Sequence, residues 1–99
     1  MVSVQFYIIL NEHAGSGRAK DLWPEIKQQL DAAQVSYQLA ISEYANHAIL
    51  LSEQFAKKLP DEPHQNWVVL AVGGDGTLHE AINGLTKLPR THPIPVAYL

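Results

Sequence analysis

The sequence predicts an α/β fold, a three-layer α/β/α arrangement with a mainly parallel sheet. Apolar runs rich in β-branched and aromatic residues, which are typical of buried strands, alternate with segments of helical periodicity. Strands that alternate with helices favour a parallel sheet covered by helices on its faces. The predicted strands span residues 2–10, 35–41, 67–72 and 94–99.

Three helices are predicted between these strands. They span residues 18–33, 45–59 and 77–88. In the first, Leu22, Ile26 and Leu30 recur at four-residue spacing, as on the buried face of an amphipathic helix. Pro24 interrupts this pattern, so the regular helix either begins near Trp23 or is kinked at the proline.

Composition and charge exclude several classes of protein. The formal net charge is −3, so the broad basic surface of a nucleic-acid-binding domain is not expected. We therefore expect no nucleic-acid partner. The absence of cysteine excludes a disulfide scaffold and a cysteine-ligated metal site. The longest apolar runs, residues 7–10 and 68–72, are far shorter than the ~20 residues that cross a bilayer. We therefore expect no transmembrane segment and only a peripheral membrane role.

Residues 71–84, AVGGDGTLHEAING, place Gly73, Gly74 and Gly76 at the junction between a predicted strand and a predicted helix. Glycine permits positive φ angles and lets the backbone approach a phosphate closely. The N-terminus of the following helix offers free N–H groups and a partial positive charge. Because ligands of open parallel sheets bind beyond the carboxyl ends of the strands, this junction is a predicted anion site.

Asp75 lies among these glycines, where a carboxylate would repel a phosphate directly. Its position is explained if it holds Mg²⁺ or a water of that ion, or if it orients loop amides or a sugar hydroxyl. The alternative is that the glycines form only a tight turn and that Asp75 caps the helix. Thr77 adds a hydroxyl and is itself a candidate cap, with Glu80 three residues later at the spacing of a capping box.

The loop after the first predicted strand, residues 11–17, also contains glycines and is expected at the same edge of the sheet. Two such loops could hold one nucleotide from two sides, with Asn11 and Gly15 among the candidate contacts. Arg18 and Lys20 follow and could neutralise phosphate, although solvated charges at a helix start explain them more simply.

Further candidates are weaker. Ser42 follows the second predicted strand at the same edge and is either a ligand contact or an ordinary N-cap. His13 and His79 lie in or beside the glycine loops and could touch a ligand, but we predict no protein metal site. The sequence has no Gly-Lys of a P-loop and no G-x-G-x-x-G spacing, and Asn83 replaces the second histidine of a zinc-binding HExxH motif.

Residues 73–84 resemble the glycine-rich motif of the diacylglycerol kinase catalytic domain family, which includes bacterial lipid kinases and sphingosine kinases. The family pattern is Gly-Gly-Asp-Gly-Thr, an apolar residue, Asn or His, Glu, two variable residues and Asn-Gly; the chain has GGDGTLHEAING. The loop NEHAGSG resembles the family motif Asn-Pro-x-(Ala/Ser)-Gly-x-Gly, with Glu12 in place of the proline. Four positions of that motif match: Asn11, Ala14, Gly15 and Gly17.

The resemblance implies the N-terminal domain of the NAD kinase/diacylglycerol kinase-like fold, truncated after the fourth strand. Residues 1–99 would then be the nucleotide-binding part of the catalytic domain, with a C-terminal β-rich domain outside this chain. The sequence ends on apolar strand residues, PVAYL, as expected for the N-terminal piece of a longer protein.

Members of this family transfer the ATP γ-phosphate to a lipid hydroxyl, so the resemblance implies ATP and Mg²⁺ as cofactors. It implies Asp75 as the catalytic residue, which organises the nucleotide and its metal, whereas the catalytic base would lie outside the chain. The implied nucleotide contacts are Asn11, Gly15, Ser42, Gly73, Gly74, Asp75, Gly76, Thr77, His79 and Glu80. The intact enzyme would be cytoplasmic and would meet its lipid at the membrane surface, and the 99 residues alone would be inactive.

Two other functions stay open. NAD kinases and phosphofructokinases carry related glycine loops, although His79-Glu80, Asn83-Gly84 and residues 11–17 favour the lipid branch. A non-catalytic nucleotide-binding module is the other alternative. The sequence does not distinguish diacylglycerol, a sphingoid base and a polyprenol as acceptor, and it leaves the oligomeric state open, with a homodimer among the options.

Overall fold

The computed structural model describes residues 3–99 and has the predicted α/β architecture. The strands are β1 (Gln5–Leu10), β2 (Ser36–Ile41), β3 (Trp67–Val72) and β4 (Val96–Tyr98). The helices are α1 (Arg18–Ala32), α2 (His47–Lys58) and α3 (Asp75–Leu85), with a short 3-10 turn at Ala14–Gly17 before α1. Every predicted strand and helix is present, although several boundaries differ. Residue 2, which the sequence places in the first strand, lies outside the described residues.

The described strands form one parallel sheet in the order β2-β1-β3-β4. β1 is central and pairs with β2 on one side and β3 on the other. Leu10, its last residue, is level with Ile41 of β2 and Val72 of β3. Three neighbouring strands therefore end at the same height, and the loops that follow them emerge side by side.

The helices lie on both faces of the sheet, which confirms the three-layer α/β/α arrangement. One core cluster joins the sheet to α2 and α3 and comprises Ile9, Ala48, Ala56, Val69, Ala71, Ala81, Leu85 and Ile94. The other joins the opposite face to α1 and comprises Ile8, Leu10, Ala19, Leu70 and Val72. The last four residues of β3 are buried, as its continuous apolar run predicts.

The buried face of α1 matches the prediction at Ile26 and Leu30, which pack on the core, but not at Leu22. Leu22 is 38% exposed, whereas Ala19 is buried and Trp23 packs on the core. The helix begins at Arg18 with Pro24 inside it, so, of the two alternatives, a start near Trp23 is wrong. Pro24 and Lys20, whose carbonyl loses its intrahelical donor, are both exposed, so water can replace the missing hydrogen bond.

The start of α2 also differs from the prediction. Asn46 has a left-handed φ of 69° and occupies the N-cap position, so the helix begins at His47 rather than at residue 45. Ser42 lies well before this start and is not its N-cap. It is 96% buried, and its N–H donates to the Leu10 carbonyl, which fastens the end of β2 to β1.

An arginine fastens the loop before β4 to the end of α2. The Arg90 guanidinium donates hydrogen bonds to the carbonyls of Leu59 (2.9 Å) and Pro60 (2.8 Å). It thereby satisfies acceptors that the end of a helix leaves without intrahelical donors. Asp61 completes the contact, since its carboxylate accepts from the N–H groups of Thr91 and His92, each at 2.8 Å.

α2 and α3 pack closely because Gly84 has no side chain. A Cβ at Gly84 would overlap the Ser52 hydroxyl and the Ile49 carbonyl of α2. Ser52 is fully buried and donates to the Ala48 carbonyl at 2.8 Å, so it cannot move aside without losing that bond. None of the helices within residues 3–99 is long and apolar enough to cross a membrane.

We expect Gly84→Ala to lower the free energy of unfolding by about 1–3 kcal/mol, because the added methyl forces α2 and α3 apart. Chemical denaturation measures the change. Gly76→Ala is the matched control, since a Cβ at Gly76 meets no atom within 4 Å and the position is helical. Equal stability of the two variants would contradict the proposed close contact.

Asp61 makes the stability of this contact depend on pH. The N–H groups of Thr91 and then His92 hold the pKa of the Asp61 carboxyl below its ordinary value of 3.8. As pH falls, the unfolded chain therefore takes up the proton first. The contribution of Asp61 to the free energy of unfolding is present above the ordinary pKa of 3.8 and is lost as pH falls through the lower pKa of the folded protein. Asp61→Asn should flatten the acid decline in unfolding free energy, whereas Glu62→Gln, at the adjacent exposed carboxylate, should not. An equally steep decline in Asp61→Asn would count against this account.

Candidate functional site

The carboxyl ends of β2, β1 and β3 form the edge where the predicted site residues meet. The connection after β1 passes to α1 on one face, and the connection after β3 passes to α3 on the other. This is the point in a parallel sheet at which the loops separate and leave a crevice. Asn11 N–H donates to the Val72 carbonyl at 2.9 Å, which ties the first loop to the end of β3.

Gly73 is where the two glycine loops touch. Its φ of 146° is one that side-chain-bearing residues rarely adopt. A Cβ at this position would lie 2.6 Å from Thr77 Oγ1, 2.9 Å from Asn11 Cβ and 3.2 Å from Ala14 Cβ. The absence of a side chain therefore lets both loops close over the end of β3.

α3 begins at Asp75, with Gly74 at the N-cap position and a φ of 89°. The predicted start at residue 77 is wrong, and neither Asp75 nor Thr77 is the cap, so the predicted capping box of Thr77 with Glu80 is also wrong. Asp75 is exposed in the first turn, where a carboxylate is favoured by the helix dipole. The first amides of the helix lack intrahelical acceptors and lie at this edge.

Thr77 carries the most unusual polar atom of the site. Thr77 is 98% buried, and its hydroxyl, which lies beside Gly73, finds no hydrogen-bond partner among residues 3–99. Buried polar groups in native proteins are nearly always paired, so this hydroxyl, packed under Gly73, is an exception.

The first loop is shaped by consecutive residues with positive φ. Gly15, Ser16 and Gly17 have φ angles of 61°, 58° and 93°, which fold the segment into a compact turn before α1. Asn11 Oδ1 accepts from the His13 N–H at 3.1 Å, so the asparagine side chain is used to hold the turn.

A cleft of about 340 Å³ lies between these loops and α1; we call it the glycine cleft. Its lining residues are Ala14, Gly15, Arg18, Ala19, Leu22, Val72, Gly73, Gly74 and Leu99. It brings together Gly15, Gly73 and Gly74 of the predicted site. Arg18, for which the sequence left both a phosphate contact and a solvated charge open, is the one cation among these lining residues.

Other predicted residues lie outside the lining of the glycine cleft. Ser42 stands two strands away at the end of β2, and His79 and Glu80 lie in the second turn of α3, with His79 exposed. Asn11 and Thr77 lie beneath Gly73 rather than in the open cleft.

Leu22 lines the glycine cleft but was not predicted to do so, because its four-residue spacing resembles that of a core position. Within the described residues no group of three His, Cys, Asp or Glu side chains could hold a metal.

Comparison with known proteins identifies the family. The model of the diacylglycerol kinase catalytic domain matches residues 5–99. Sphingosine kinase 1 of Rattus norvegicus is 34% identical over 86 residues, which cover 83% of this chain and 20% of that protein. Sphingoid long chain base kinase 4 of Schizosaccharomyces pombe is 33% identical over 84 residues, covering 84% of this chain and 17% of that protein. The chain thus spans about a fifth of the length of these relatives.

A solved structure has the same architecture. A candidate diacylglycerol kinase from Bacillus anthracis str. Sterne superposes with a TM-score of 0.70 at 26% sequence identity, over 97% of this chain and 31% of that one. Fold, glycine loops and sequence similarity point the same way, and the chain belongs to the diacylglycerol kinase catalytic domain family, a family of lipid kinases.

Proposed function

We propose that this chain is the nucleotide-binding part of an ATP-dependent lipid kinase that transfers the γ-phosphate of ATP to a lipid hydroxyl. The observation that carries the proposal is the closure of two glycine loops at Gly73, beside the open N-terminus of α3, in a chain of the lipid kinase family. The relatives named above act on sphingosine and sphingoid bases, which favours a lipid over NAD as acceptor.

Backbone amides and one arginine would hold the phosphates. Gly74 and Gly76 are exposed at the start of α3, and a Cβ at either position would meet no atom within 4 Å, so a ligand can come close to the backbone. The helix dipole favours an anion there. Arg18 supplies positive charge to the glycine cleft.

Asp75 fits a magnesium ion that is held jointly by protein and phosphates. Mg²⁺ keeps several waters and is typically bound by one or two carboxylates together with substrate phosphates, so a cluster of protein ligands is not required. Asp75 is exposed in the first turn of α3, beside the amides that would bind a phosphate. When bound, Mg²⁺ would neutralise charge that develops on the phosphoryl oxygens during transfer.

The acceptor hydroxyl must lose a proton during the transfer, and the glycine cleft has no carboxylate among its lining residues. We infer that the base and the lipid contacts come from other parts of a longer protein, in line with the fifth of relatives' length that this chain spans. The intact protein would then be a cytoplasmic enzyme that works at the membrane surface.

Titration with ATP tests the role of Asp75. We expect weak Mg·ATP binding by the 99-residue chain, with NMR shifts at residues 11–17 and 73–80. Asp75→Asn should weaken Mg·ATP binding about tenfold through loss of a Mg²⁺ ligand, yet leave ATP binding in EDTA unchanged or tighter, because a repulsive charge is removed. Asp21→Asn, at a first-turn aspartate of α1, is the matched control and should behave as the unmodified chain. Equal loss with and without Mg²⁺ would contradict the proposed role.

Phosphoryl transfer tests whether the chain is a complete enzyme. We expect no turnover of ATP with diacylglycerol or sphingosine in mixed micelles, because the glycine cleft has no carboxylate lining it to take up the hydroxyl proton. Radiolabelled lipid phosphate measures the reaction, with full-length rat sphingosine kinase 1 as the positive control. Turnover that persists through ion-exchange chromatography would show that the chain carries its own base.

A further inference from the structure

An exposed aromatic stack stands at the same edge of the sheet, and the proposed phosphate contacts do not use it. The rings of Tyr44 and His47 are 4.2 Å apart between centroids and 11° from parallel. Tyr44 is nevertheless 59% exposed. His47 covers one face of the tyrosine ring, and the opposite face is open to solvent.

This stack is fixed in place although it is exposed. His47 N–H donates to the Tyr44 carbonyl at 3.0 Å, and His47 Nδ1 accepts from the Glu43 N–H at 2.9 Å. Asn46 turns the chain between the two rings with its left-handed φ of 69°. Two residues earlier than Tyr44, the buried Ser42 is bonded to β1. Much of the entropy cost of ordering the ring is therefore already met before a ligand arrives.

The position of the stack relative to the glycine loops suits the two ends of a nucleotide. Ile41, Leu10 and Val72 lie in one row across β2, β1 and β3. Neighbouring strands are about 4.8 Å apart, so the ends of β2 and β3 are separated by about 10 Å. A nucleotide whose phosphates lie at the start of α3 can extend across the end of β1 and the first loop. Its base then reaches the loop that follows β2.

We propose that Tyr44 is the base-stacking residue of the nucleotide site, with its open ring face against the nucleobase and His47 supporting it from behind. This inference rests on the proposed nucleotide-binding function. Every base has a flat π-face, so stacking alone binds adenine and guanine with little preference. Tyr44 would contribute to the affinity for the nucleoside and would not contribute to binding of the phosphates.

The test compares a ligand that has a base with one that has only phosphates. Affinities of the 99-residue chain for Mg·ATP and for Mg·tripolyphosphate are measured by calorimetry for the unmodified protein, Tyr44→Ala and Tyr44→Phe. We expect Tyr44→Ala to lower the affinity for Mg·ATP about tenfold and to leave the affinity for Mg·tripolyphosphate unchanged. Tyr44→Phe should retain both affinities. Upfield shifts of the Tyr44 ring protons should follow addition of Mg·ATP but not of Mg·tripolyphosphate.

The outcomes separate this inference from the proposal on which it rests. If Tyr44→Ala binds Mg·ATP as tightly as the unmodified chain while Asp75→Asn binds it more weakly, the stacking role is wrong and the nucleotide site stands. If Tyr44→Ala lowers the affinities for both ligands equally, Tyr44 acts through the loop structure and the stacking role is again wrong. If the folded, unmodified chain binds neither ligand, the nucleotide-binding function and the stacking role are both overturned.

Discussion

The absence of a side chain at Gly73 is the constraint on which the site depends. Asn11 and Ala14 of the first loop and Thr77 of α3 converge on the point that a Cβ would occupy. Any other residue would also have to adopt a φ of 146°. The contact sets how closely the two loops approach, and hence the width of the glycine cleft. The packing of α3 carries a similar constraint at Gly84, which has to pass close to α2.

The sequence predicted the architecture well because its patterns report burial directly. Apolar runs marked β1 and β3, and β3 has the bounds that its run predicts, whereas β2 has no buried residue. The alternation of strands and helices predicted a parallel sheet, and the glycines predicted which loops meet at its edge. The strand order β2-β1-β3-β4 is not written in any local pattern, because it depends on which faces the connecting helices cover.

The details that sequence reasoning missed are set by the backbone rather than by composition. Asn46 with its positive φ delays the start of α2 and brings His47 back onto Tyr44, which no spacing rule indicates. Gly74 takes the cap position that hydroxyl residues usually fill, so α3 starts before Thr77 and leaves that hydroxyl buried without a partner among residues 3–99. Leu22 has the spacing of a core residue but lines the glycine cleft instead.

The central place of β1 also bears on how the chain folds. Gln5 pairs with Trp67, so β1 is synthesised well before its second neighbour, β3. Contacts so distant in sequence close large loops at an entropic cost and slow folding. Until β3 is made, one edge of β1 is free to pair with another chain. The two glycine loops therefore cannot meet until β3 has been made, although the first of them is synthesised early.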